Sequence, residues 1–155
     1  MTTTTPTVAP ATSRPRIDLA TTPVWRVGAL ASLAAALATT LVAVAAKAVD
    51  VPLMVAPQSA DAGQEIPAAG FATSTLMAAL IGTLLAVGLA RWSRRPAGTF
   101  VVITTVLTLV AVVPPLTTGH ATTATRVVLE LTHLVAAAIV IPVLARRLAA
   151  VRTDR

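Results

Sequence analysis

Residues 27–46 read VGALASLAAALATTLVAVAA, twenty positions without a charge, bounded by Arg26 and Lys47. At about 1.5 Å per residue, a helix of that length spans ~30 Å, the thickness of a bilayer's hydrocarbon core. Three more apolar runs follow, at residues 71–90, 98–114 and 127–144. This recurrence constrains the fold more tightly than any other feature. Lipid offers no partner to a backbone N–H or C=O, so each run must satisfy its own. The third run, VVITTVLTLVAVV, is rich in β-branched residues and would suit a strand in water. A lone strand cannot cross lipid, so this run too reads as a helix.

The expected architecture is all-α, an integral membrane four-helix bundle within residues 24–147. Its helices fall at about 25–47, 71–91, 98–114 and 121–146. A Thr/Pro-rich stretch at 1–23 has no apolar periodicity and reads as a disordered tail. Residues 148–155 read as a basic cytoplasmic tail. Between the first two runs lies a polar loop with Asp50, Asp61, Glu65 and three prolines. The Pro114-Pro115 pair is expected to stop the third helix, and Pro142 to loosen the fourth from inside.

Composition agrees. Hydrophobic residues make up 55% of the chain and charged residues 12%, against about 25% charged in a soluble domain. That excludes a cytosolic enzyme, a disordered chain and a fibrous protein. The net charge of +6 raises the question of nucleic acid. The arginines sit at the ends of apolar runs instead of forming a basic, aromatic-studded patch, so no nucleic acid is expected. With no cysteine, disulfide scaffolds and thiolate metal sites are also excluded.

Ten of the twelve basic residues fall in the leading tail, the turn at 91–95 and the end of the chain. Only Lys47 and Arg126 fall on the opposite side, with the acidic loop. An even number of spans returns both ends to one face, so the positive-inside rule gives a plasma-membrane protein with both termini cytoplasmic. Trp25 and Trp92 fall at the same boundary, where indoles settle. The alternative is a cleaved leader, since Ala43-Val44-Ala45 and Ala46-Lys47-Ala48 resemble small-residue cleavage sites. The apolar stretch exceeds the 7–15 residues of a signal core, roughly, and the segment before it is long.

Burial does not drive helices together in lipid; close packing of small residues does. Gly28, Ser32, Ala36 and Thr40 recur every four residues in the first run, and Ala78, Gly82, Ala86 and Ala90 in the second. Both ridges are expected to face other helices.

One polar constellation interrupts the spans. Arg126, Glu130 and His133 stand at i, i+4 and i+7, so one face of the fourth helix carries all three. A charge at mid-bilayer costs roughly 2.5–3.5 kcal/mol on insertion scales. Glu130 lowers that cost by holding a proton or by pairing with Arg126, His133 or Lys47. Thr39, Thr40, Thr73 to Thr75, and Thr108 offer hydroxyls at broadly similar depth. These residues form the candidate polar site.

Other chemistry finds little footing. Glu130-Leu-Thr-His133 has the Glu-x-x-His spacing of di-iron bundles, but those need a second such motif and two more carboxylates on facing helices. No other apolar run holds a carboxylate. Zinc needs three or four ligands, and only loop acids and His120 remain. His120 and His133 would fall on nearly opposite helix faces. There is no Gly-x-Ser-x-Gly turn, phosphate loop or dinucleotide fingerprint. No metal, cofactor or catalytic residue is expected.

The stretch Thr125-Arg126-Val-Val-Leu-Glu130-Leu-Thr-His133-Leu-Val, with Pro142 and Arg146-Arg147 beyond it, resembles a group of small actinobacterial membrane proteins. That group is described only as a family of unknown function with four membrane helices. The resemblance covers about residues 20–150. It implies a plasma-membrane bundle and carries over no activity. The expected function is a structural or accessory subunit that acts through helix contacts with a membrane partner or a second copy. The alternative is a small carrier or sensor that binds a proton or solute at Glu130 and His133. A membrane enzyme ranks third.

Overall fold

The computed structural model describes residues 22–55, 63–117 and 121–153. The tail at 1–21, Asp61 and His120 lie outside the described residues. Four helices carry the chain: α1 (Val24–Ala48), α2 (Ala68–Trp92), α3 (Pro96–Thr117) and α4 (Thr123–Thr153). Each is long and apolar enough to cross a membrane. The protein is an all-α integral membrane four-helix bundle.

Three helix bounds differ from the sequence expectation. α3 runs through Pro114 and Pro115 to Thr117 instead of stopping there. In lipid, leaving the helix early would strand more backbone groups than two prolines remove. α4 continues through Pro142 to Thr153, so most of the expected tail is helix. Leu148 explains this: it is fully buried and packs in the core with Leu144, Phe100 and Ala86. α2 begins at Ala68, directly after Pro67.

α1 ends in a cap built by its own sequence. Val51 N–H bonds to Ala46 O at 3.1 Å and Asp50 N–H to Lys47 O at 3.1 Å. Asp50 stands between them at φ 57°, a left-handed conformation that Asp tolerates. The loop then turns back on the bundle. Leu53 is buried beside Ala43, Ala46 and Phe71. A short ladder follows, in which β1 (Met54–Val55) pairs antiparallel with β2 (Gln64–Glu65). Thr125 donates its hydroxyl to Pro52 O, tying the start of α4 to this loop. At the opposite end of the bundle, Arg147 Nε donates to Thr22 O at 2.5 Å. The start of α1 and the end of α4 therefore share one end.

α1 is the spine. It packs against α2 and α4, α3 leans on α4, and α2 and α3 meet only sparsely. Its inward face is small: Gly28, Ala31, Ser32, Ala35, Ala36 and Thr39 are buried. Its outward face is a stripe of exposed leucines, Leu30, Leu33, Leu37 and Leu41. The ridge expected on the first run thus faces other helices, although at its upper end Thr39 is buried and Thr40 only half-buried.

On α2 the expectation needs correcting. Phe71, Ala79, Thr83 and Ala86 are the buried residues, while Ala78 is exposed and Gly82 has no neighbour within 4 Å of where a Cβ would stand. Thr83 sets this rotation. A Cβ on Gly28 would fall 2.3 Å from Thr83 Cγ2, so the two helices touch at a point where only glycine fits.

That contact yields a paired expectation. Gly28→Leu should lower the unfolding midpoint of the detergent-solubilised protein, by about 1–3 kcal/mol as overpacked sites do. Gly82→Ala should leave the midpoint in place, and thermal unfolding of both variants checks the contrast.

Candidate functional site

The separation of α2 from α3 leaves a groove with a cavity volume of about 400 Å³. α4 forms its floor through Thr132, His133, Ala136, Ala137, Val140 and Ile141. α2 contributes one wall from Phe71 to Leu85, and α3 the other from Phe100 to Ala111. Ile81 and Leu107 are lining residues that stay exposed, so the mouth opens between α2 and α3 toward the membrane. The volume lies within the ~300–1,000 Å³ of small-molecule sites.

Six polar side chains line this groove: Ser74, Thr75, Thr104, Thr108, Thr132 and His133. Each is held by a bond to the bundle. Ser74 donates to Phe71 O at 3.2 Å, Thr104 to Phe100 O at 2.7 Å, and Thr108 to Thr104 O at 2.8 Å. Thr132 donates to Leu129 O at 2.7 Å. Thr39 donates to Ala36 O at 3.1 Å and lies 2.9 Å from Thr75 Oγ1, a bond in which either hydroxyl can donate. His133 Nδ1 stands 2.7 Å from Leu129 O. A carbonyl only accepts, so Nδ1 carries a hydrogen; an uncharged ring then has its lone pair on Nε2.

The structure divides the sequence's candidate site. His133 and Thr108 line the groove. Thr39 sits behind it, buried at the α1–α2 contact. Thr73 is exposed and bonds to Ala69 O and Gly70 O on its own helix. Lys47 pairs with Glu65 in the loop, at 2.5 Å. That pair is largely solvent-facing, the kind worth ~0–1 kcal/mol. Arg126 sits in the first turn of α4, its N–H bonded to Thr122 O at 3.0 Å. Glu130 is half-buried, and its Oε1 is sealed from solvent with no hydrogen-bond partner. Among the described residues, no group of three metal-ligating side chains comes together.

Sequence reading missed Thr104, Thr132 and Arg147. Thr104 and Thr108 stand four apart, which was a legible signal for one helix face. Arg147 looked like a terminal charge, yet it is buried and one of its guanidinium nitrogens, Nη1, has no partner.

A family of unknown function (DUF6069) matches residues 19–150. The chain belongs to that family. No curated protein and no solved structure matches it. The family's extent begins just before Thr22 and ends inside α4, so the groove and both core clusters lie within it.

The sealed carboxylate carries a measurable consequence. Glu130→Gln keeps the shape and removes the charge, so the thermal midpoint should hold or rise. A fall matching the ~3–5 kcal/mol lost when a buried ion pair is broken would instead identify Glu130 as one arm of such a pair.

Proposed function

We propose that this protein is a small non-catalytic binding module of the plasma membrane, a carrier or sensor that receives a membrane-dissolved molecule in the groove between α2 and α3. The observation that carries the reading is the groove itself. It is apolar over most of its wall, has polar groups fixed at a few points, and opens sideways instead of toward a loop. Small-molecule sites share the first two features, and a lateral mouth admits ligands already dissolved in lipid.

Catalysis has little to work with here. Among the described residues, the lining contains one histidine and no carboxylate, cysteine or lysine, and its hydroxyls are bonded to the bundle. The concentration of basic residues at the chain ends and the α2–α3 turn supports cytoplasmic termini.

A second reading keeps the protein as an accessory subunit. Ala78 and Gly82 present a strip of small residues to the opening, and such strips let a partner's helix approach closely.

One experiment separates the two. Gly82→Phe places a ring in the groove, where nothing lies within 4 Å of the new Cβ. Small molecules copurifying with the native protein and with this variant are compared by mass spectrometry. The binding reading expects at least about a tenfold loss of one species, equivalent to 1.4 kcal/mol. An unchanged small-molecule profile with loss of a copurifying membrane protein would replace it with the accessory-subunit reading.

A further inference from the structure

The bonds made by the groove's polar residues commit most of their hydrogens to the bundle. Ser74, Thr104, Thr108 and Thr132 send theirs to backbone carbonyls of their own helices. Thr75 shares a hydroxyl–hydroxyl bond with Thr39, in which either oxygen can donate. His133 commits the hydrogen on Nδ1 to Leu129 O. These six are all the polar side chains in the lining. Hydroxyl oxygens keep lone pairs after donating, and a neutral imidazole with hydrogen on Nδ1 keeps an acceptor at Nε2. Five of the six thus commit a hydrogen to a backbone carbonyl, and the groove presents mainly acceptors. Among the described residues no lysine, arginine or carboxylate lines it, so it offers no counter-charge to an ionic head.

We infer that the groove selects an apolar molecule whose head is a hydroxyl, a membrane-dissolved alcohol. This inference rests on the binding reading above and names the ligand class for the same site. An alcohol supplies what the lining is short of, a hydrogen to donate. An ester, ether or ketone of equal size brings only acceptors and leaves lone pairs facing lone pairs. A carboxylate adds uncompensated charge in a low-dielectric site. The apolar remainder of the lining, including Phe71, Leu85, Phe100 and Ile141, accommodates the hydrocarbon body. Thr104 and Thr108 stand one turn apart on α3, and Thr132 and His133 lie on α4, so the acceptors come from two helices.

The test uses the full-length protein in lipid nanodiscs and two photoactivatable probes, a diazirine-bearing long-chain alcohol and its methyl ether. Cross-linked peptides are quantified by mass spectrometry. The inference expects the alcohol to label groove peptides of α2, α3 or α4 about tenfold more than the ether, the worth of one hydrogen bond in a dry site. Replacing Thr104 and Thr108 together by Val, which keeps their shape, should bring alcohol labelling down toward the ether's and leave the ether's unchanged. Equal labelling by the two probes would overturn the alcohol selectivity while leaving the binding reading in place. Absence of groove labelling by either probe would overturn both. The native circular-dichroism melt of the double variant confirms that it is folded; if it is not, Thr108→Val alone serves in the same comparison.

Discussion

Hydrocarbon does two things to a chain that enters it. It forbids any backbone polar group from going unpaired, and it removes the advantage of burying one apolar surface against another. Four apolar runs therefore become helices almost regardless of propensity. What then holds the helices together is how closely they can approach. In this protein the approach is closest along α1. Its inward face has little beyond Cβ atoms from Gly28 to Ala43, and at Gly28 even that atom is missing, because Thr83 occupies its place. The Thr39–Thr75 hydroxyl pair adds a polar contact to the same seam. The leucines of α1 point the other way, into lipid.

The rest of the architecture follows from that seam. α2 is rotated so that Ala79, Thr83 and Ala86 meet α1, which leaves Ala78 and Gly82 turned aside. α4 takes the other side of α1, and α3 takes its support chiefly from α4. With α2 and α3 on different supports, they meet only sparsely, and the groove is the space between. The rule that governs backbones also governs hydroxyls there. A threonine in a dry span returns its hydrogen to a carbonyl one turn back, and the lone pairs that remain give the groove its one-sided hydrogen-bonding character.

The fold was legible because its signal is length and charge, both printed in the sequence. The four spans and the small face of α1 could be read from spacing alone. Helix ends were less legible. The continuation of α4 depends on Leu148 finding a pocket among Leu144, Phe100 and Ala86, and the run's local text does not reveal that. The site was legible only in part. Arg126, Glu130 and His133 share a face of α4, and sequence spacing says so, yet His133 lines the groove while Glu130 does not. Which side of an all-round apolar helix faces a neighbour is decided by shape, and α2 gives no amphipathic stripe to announce it. The pairing of Lys47 with Glu65 was likewise hidden, because it needed the loop to fold back by way of β1 and β2.

The most direct test of this arrangement is disulfide trapping, which suits a chain with no cysteine of its own. Thr39 and Thr75 place their hydroxyl oxygens 2.9 Å apart, a separation that two sulfurs close to ~2.0 Å with little movement. Cysteines at these positions should cross-link rapidly under mild oxidation in native membranes. A pair at Gly82 and Thr108, on opposite walls of the groove, should not. Rapid bridging of the second pair, or failure of the first, would contradict an α1-centred bundle with α2 and α3 held apart.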